Sequence, residues 1–271
     1  MRLGDNMFYN LVEDKVNIGE MSLDYISFGK GNKNLIIIQG LSVRDVKGTG
    51  VSIALMYKMF AKDYRVYMFD RRPVINSPIT VWNIAEDIYK AMNELKIERA
   101  DLFGVSQGGM ISMAMALSYP QSINKMVLGV TASRPNETIR KVVGSWVKCA
   151  ENKDYVTINR ETFTLMYTDK YLKKYKILMP IIVKLIKPKD FKRFEMLASS
   201  ILNFDCYDRL TEIKCPVLVL GGALDKITTG KASIEIAEKM GCELFIYDEY
   251  GHAAYEEAKD YTNRVYDFLM K

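Results

Sequence analysis

Six apolar runs of strand length constrain this chain more than any other feature: LIIIQ (35–39), RVYMFD (65–70), ADLFGV (100–105), KMVLGV (125–130), PVLVLGG (216–222) and ELFIYD (243–248). Runs this continuous belong to strands covered on both faces, because a strand with one wet face alternates apolar and polar residues. The stretches between them are helical in pattern. In TVWNIAEDIYKAMNELKI, residues Val81, Ile84, Ala85, Ile88, Ala91, Met92 and Leu95 recur at steps of three and four, with Glu86, Asp87, Lys90 and Glu94 opposite; one buried helix face accounts for them. Strand alternating with helix predicts an α/β fold whose sheet is twisted and mostly parallel, with helices on both faces. Ahead of it, FYNLVEDKVNIGEMSLDYISFG reads as a short antiparallel meander.

The alternation breaks once. From about Arg134 to Asp205 no strand-like run occurs, and helical stretches take over, two of them opening at Pro135 and Pro188, a residue suited to a first helical turn. This predicts an all-helical cap, residues 134–205, inserted into a core domain formed by residues 1–133 and 206–271 and placed over one edge of the sheet. A chain of 271 residues, 49 % of them hydrophobic, is long enough to bury one large core.

Composition excludes several classes of function. One histidine and four cysteines without a CxxC spacing leave no zinc centre of the usual kind and no disulfide framework. That cysteine usage, with an amino end lacking an apolar core of signal length, leads us to expect a soluble cytoplasmic protein. The longest apolar stretch, ILMPIIVKLI (177–186), is about half a membrane span and contains Pro180 and Lys184. A net charge of +5 is too mild for a nucleic-acid footprint. In GGALDKITTGKAS, Asp225 stands where a phosphate loop needs its first glycine and Ala232 follows the lysine, while KGTGVSI has Ile53 where a dinucleotide fingerprint needs its third glycine. No cofactor and no metal are expected.

Between Arg134 and Lys214 there are 17 lysines and arginines against 10 aspartates and glutamates. An anionic substrate, an anionic membrane surface or a plain solvated helix face would each suit this asymmetry. Trp146, Phe163, Met166, Tyr167, Met179 and Ile182 could equally line an apolar acyl pocket or pack the cap internally.

The chemistry begins at LFGVSQGGMI (102–111). Ser106 stands between Gly104 and Gly108 where the ADLFGV strand gives way to QGGMISMAMALSYP, read as an amphipathic helix ending at Pro120. A serine forced round so tight a turn needs neighbours without a Cβ, so this spacing suits a nucleophile held out at a strand end. His252, the only histidine, is the sole imidazole able to take the serine proton near neutral pH.

Three segments together resemble the α/β-hydrolase fold family, in its capped esterase-like and C–C-hydrolase-like branch. DLFGVSQGGMISMAMALSYPQSINKMVL is similar to that family's nucleophile elbow, helix and next strand. DRLTEIKCPVLVLGGALD resembles the approach to its acid, and EYGHAAYEEAKDYTNRVYDFL its histidine loop and last helix. The resemblance implies the chain order Ser106, Asp225, His252, each just past a strand end, with Asp225 orienting the imidazole. Capping the following helix is the other role open to Asp225, and Asp205, Asp208, Asp248 and Glu249 are rival acids. The resemblance further implies an oxyanion hole made by the backbone N–H groups of Leu41 and Gln107. Two departures stand out: Gln39 replaces a histidine before Gly40, and Pro73 and Ile75 replace glycines after Arg71 and Arg72. Ser42 adds a hydroxyl that is either a further donor or a turn serine.

These features lead to the expectation of a serine hydrolase of the carboxylesterase type, forming an acyl-enzyme on Ser106 with a small-molecule acyl substrate. Thioesters, lactones and C–C bonds of vinylogous diketones are close variants. A ligand-sensing protein with little turnover and an acyltransferase remain the alternatives, and a homodimer is a common enough state to expect.

Overall fold

The computed structural model of the protein describes residues 9–175, 178–188 and 190–271; the side chains of Ile182 and Leu185 lie outside that description. Each apolar run forms a strand. The parallel set is β3 (Lys33–Ile38), β4 (Tyr64–Phe69), β5 (Ala100–Val105), β6 (Ile123–Gly129), β7 (Val217–Gly222) and β8 (Glu243–Tyr247). The meander is a hairpin of β1 (Val12–Ile18) and β2 (Met21–Phe28), and β2 runs antiparallel beside β4. The resulting eight-stranded order is β1-β2-β4-β3-β5-β6-β7-β8.

That order explains where a ligand can sit. The chain leaves β3 toward β4 and then returns past it to β5, so β3 and β5 are neighbours whose outgoing loops diverge. A crevice opens beyond the carboxyl ends of strands at such a switch point. All six residues of β5 and of β7 are buried, as continuous apolar runs require of central strands.

Helices α1 (Gly50–Met56) and α11 (Tyr261–Met270) contact the sheet's surroundings on one side, where Phe60, Tyr64, Phe103 and Tyr261 form one apolar cluster. A second cluster joins α2 (Val81–Glu94) and α3 (Gln107–Ser118) to the opposite face. The expectation of an amphipathic α3 is corrected: every residue from Gln107 to Ala116 is buried. This helix is covered by α2 and the sheet, and its Gln107 side chain reaches an inserted helix described below, so its first ten residues have no wet face.

Among the described residues five α-helices fall between β6 and β7: α4 (Glu137–Glu151), α5 (Tyr155–Met166), α6 (Asp169–Tyr175), α7 (Met179–Leu185) and α8 (Phe191–Leu202). Their starts differ from the proline positions. Asn136 Oδ1 accepts the Ile139 N–H at 2.9 Å and Asp190 Oδ1 accepts the Arg193 N–H at 3.0 Å, so capping side chains, not Pro135 and Pro188, set the first turns of α4 and α8. The chain closes through α9 (Gly230–Met240), β8, α10 (Ala254–Glu257) and α11. All four cysteines are free, and among the described residues no helix is long and apolar enough to cross a membrane.

Candidate active site

Ser106 joins β5 to α3 with φ 56° and ψ −122°, a conformation that costs a residue with a Cβ about 1–3 kcal/mol. Its backbone is held from both sides: the Ser106 N–H donates to Gly129 O at 2.9 Å, and Thr131 Oγ1 donates to Ser106 O at 2.6 Å. The flanking glycines are sterically required. A Cβ on Gly104 would lie 2.3 Å from Gly108 O, and one on Gly108 would lie 1.8 Å from Ile38 O. The turn therefore presses α3 against the end of β3 and brings Gly40 beside Ser106.

Asp225 lies past β7 and is 7 % exposed. Its Oδ1 accepts the N–H groups of Ile227 at 2.7 Å and Thr228 at 3.0 Å, and its Oδ2 lies 2.8 Å from His252 Nδ1. The Thr228 hydroxyl stands 2.7 Å from the same Oδ2 and 3.0 Å from Val130 O. Burial pushes the Asp225 carboxyl up, yet the charge of His252 and these hydrogen bonds outweigh it and leave the carboxyl below its ordinary range. An ionised acceptor at Oδ2 keeps a proton on Nδ1, which leaves the lone pair on Nε2.

The helix-capping role for Asp225 falls to another residue, since Thr229 Oγ1 accepts the Ala232 N–H at the start of α9. Asp205, Asp208, Asp248 and Glu249 are all exposed.

Ser106, His252, Leu41 and Gln107 line one cavity of about 400 Å³. Among the described residues no hydrogen bond joins Ser106 Oγ to His252; contacts of this kind often tighten only around substrate. Neither the Leu41 N–H nor the Gln107 N–H donates to a described protein acceptor, and Gln107 is the first residue of α3, where helix geometry leaves donors free. Trp146, Phe163, Met166 and Tyr167 also line the cavity; Met179 is not among its walls, and the Ile182 side chain lies outside the described residues. Ser42 Oγ donates to Arg44 O and accepts the Arg44 N–H, as a turn serine does.

Several structural ties escaped the sequence. The Gln107 side chain donates through Nε2 to Leu197 O at 2.8 Å and to Ser200 Oγ at 3.1 Å, fastening α8 above the turn. Arg71 Nη2 donates to Gln39 O at 2.6 Å, so an arginine supports the loop that departs from the family's pattern. Burial pushes the Arg71 guanidinium down to about 10, against Asp70 and together with Arg193. Arg72 is bidentate on Asp87 of α2. Arg193 of α8 donates to Asp70 Oδ1 at 2.8 Å, Arg71 O at 3.1 Å and Arg72 O at 2.7 Å, while Asp70 Oδ2 accepts the Val46 N–H. A lone arginine inside a helical pattern carries no signal of such partners.

Arg193→Met is expected to lower stability by about 3 kcal/mol, because it strips a buried carboxylate and two carbonyls of their donor. Urea unfolding followed by tryptophan fluorescence measures this, and Arg193→Lys should recover only part, since one ammonium cannot reproduce a planar fork.

Comparison with known proteins agrees with this architecture. A model described as the alpha/beta hydrolase fold matches residues 33–259. The chain is 20 % identical to 3-oxoadipate enol-lactonase 2 of Acinetobacter baylyi, over 96 % of this chain and 97 % of the relative. It is 26 % identical to the 2-hydroxy-6-oxononadienedioate/2-hydroxy-6-oxononatrienedioate hydrolase of Paraburkholderia xenovorans, over 95 % and 94 %. The crystal structure of the enol-lactonase from Burkholderia xenovorans LB400 superposes with a TM-score of 0.83 at 22 % identity, covering 95 % of this chain and 100 % of that one, which is a likeness of fold. Among the described residues no cluster of His, Cys, Asp and Glu could hold a metal ion.

Proposed function

We propose that this chain, which belongs to the alpha/beta hydrolase fold family, is a serine hydrolase that cleaves carboxylic esters or related acyl substrates through an acyl-enzyme on Ser106. The observation that carries the reading is that His252, paired with Asp225 at 2.8 Å, lines the same cavity as Ser106, the latter on a strained turn. His252 Nε2 takes the Ser106 proton as Oγ attacks the carbonyl carbon, and Asp225 stabilises the imidazolium that forms. The N–H groups of Leu41 and Gln107 receive the negative oxygen, His252 returns the proton to the leaving group, and water then releases the acid. The inserted helices, residues 134–205, act as the cap that shapes the acyl pocket.

The hydrolase relatives support the general class, and their names include an enol-lactonase and a hydrolase of 2-hydroxy-6-oxononadienedioate. Ester cleavage is favoured here by the site's own chemistry: a serine, a paired imidazole and two free donors suffice for it.

Two measurements test the proposal. A fluorophosphonate probe should label Ser106, and a protein left unlabelled would favour ligand sensing without turnover. With an uncharged p-nitrophenyl ester, His252→Asn should lower kcat by about 10³-fold or more, because the chain holds no other imidazole to accept the Ser106 proton. A His252→Asn protein that keeps the parent's rate would reject His252 as the base.

A further inference from the structure

Every described lysine and arginine between residues 134 and 214 is exposed except Arg193, and none of them lines the cavity. The positive charge of the inserted helices therefore faces solvent. Arg193, the buried exception, is occupied by Asp70 and the carbonyls of Arg71 and Arg72. Apart from His252, the charged residues among the cavity's described walls are Arg44 and Glu256, both exposed at the surface. Glu256 already accepts the Tyr167 hydroxyl at 2.6 Å.

Several neutral polar walls are also engaged, while the Trp146 indole N–H and Gln107 Oε1 have no described partner. Gln107 Nε2 is held by Leu197 O and Ser200 Oγ, Asn159 Nδ2 by the carbonyls of Val183 and Ile186, the Thr228 hydroxyl by Asp225 and Val130 O, and Ser42 by the backbone of Arg44. The remaining walls are largely apolar, with Ile139, Val143, Trp146, Phe194, Ile201 and Ile227 among them. A carboxylate carried past the exposed Arg44 into this space would lose its water and meet no lysine or arginine among the described buried walls, and burying an unpaired charge is far costlier than burying the methyl group it replaces.

From this we infer that the acyl arm accepted beside Ser106 is uncharged and apolar, which rests on the serine-hydrolase reading above and narrows it. The interior of the cavity then discriminates against acyl chains ending in a carboxylate. The anionic substrate that the basic inserted segment suggested is replaced by this reading, because that charge lies on the outer surface.

A matched pair of substrates tests it with the unaltered protein: p-nitrophenyl hexanoate and mono-p-nitrophenyl adipate differ by a methyl against a carboxylate at the chain end. At pH 8 the half-ester should show a kcat/KM lower by about 100-fold or more. Methyl p-nitrophenyl adipate, neutral and larger, should return to within about tenfold of the hexanoate. The net charge of +5 works against an artefact, since a positive overall field favours the approach of an anion. Comparable values for hexanoate and half-ester would overturn the inference while leaving the hydrolase reading in place. Absence of turnover with all three esters, together with a Ser106 that resists the fluorophosphonate, would remove the hydrolase reading and this inference with it.

Discussion

Ser106→Ala is expected to lower turnover of p-nitrophenyl esters by about 10⁴-fold or more while leaving the fold intact, because among the described residues no other hydroxyl is delivered to the cavity on a comparable turn. The conformation of residue 106 gives the same substitution a second readout. At φ 56° and ψ −122° an alanine keeps the steric conflict of its Cβ, whereas a glycine does not. Ser106→Gly should therefore be more stable than Ser106→Ala by about 1 kcal/mol, although both are inactive. Thermal unfolding of the three proteins, alongside initial rates, separates the role of the hydroxyl from the role of the turn. A Ser106→Ala protein that keeps its activity would end the proposal for Ser106 as nucleophile.

The second large effect is expected at Gly108. A Cβ there would sit 1.8 Å from Ile38 O and 2.8 Å from Gln39 O, both backbone atoms that no side-chain rotation can clear. Either α3 must lift from the end of β3 or the turn must open, and overpacking against immovable backbone costs about 3 kcal/mol or more. Activity should fall with it, because the same contact sets the spacing between the Leu41 loop and Ser106. Gly144 in α4 supplies the control: a Cβ there meets nothing within 4 Å, so Gly144→Ala should be stabilising by about 1 kcal/mol. Chemical denaturation of both variants checks the contrast. Equal stability of Gly108→Ala and the parent would show that the junction between β3 and α3 is looser than the geometry described here.

Much of the architecture was legible from hydrophobic patterning. The run ADLFGV is β5, PVLVLGG contains β7, and the break after KMVLGV is where the five helices enter, because a strand buried on both faces cannot tolerate the charges that interrupt residues 134–205. The positions of Ser106 and Asp225 past strand ends, and of His252 in the loop after β8, followed from the same pattern. What patterning cannot report is how many neighbours a helix has. The sequence QGGMISMAMALS looked one-sided, yet α3 is buried throughout its first ten residues, since burial depends on what lies above the helix as much as on its own periodicity.

The sequence by itself determined the order of strands and helices, the turn that requires glycine on both sides of Ser106, and the presence of a single imidazole, all of which depend on residues close together along the chain. Only the tertiary structure decided that Arg71 supports Gln39, that Arg193 and Gln107 fasten α8 over the turn, and that the basic charge of the inserted helices faces solvent. Arg71 and Gln39 lie 32 residues apart, Gln107 and Leu197 90, and Arg193 and Asp70 123. Over such separations a side chain's partner is set by how the sheet brings distant loops to one end, and no local pattern records that choice.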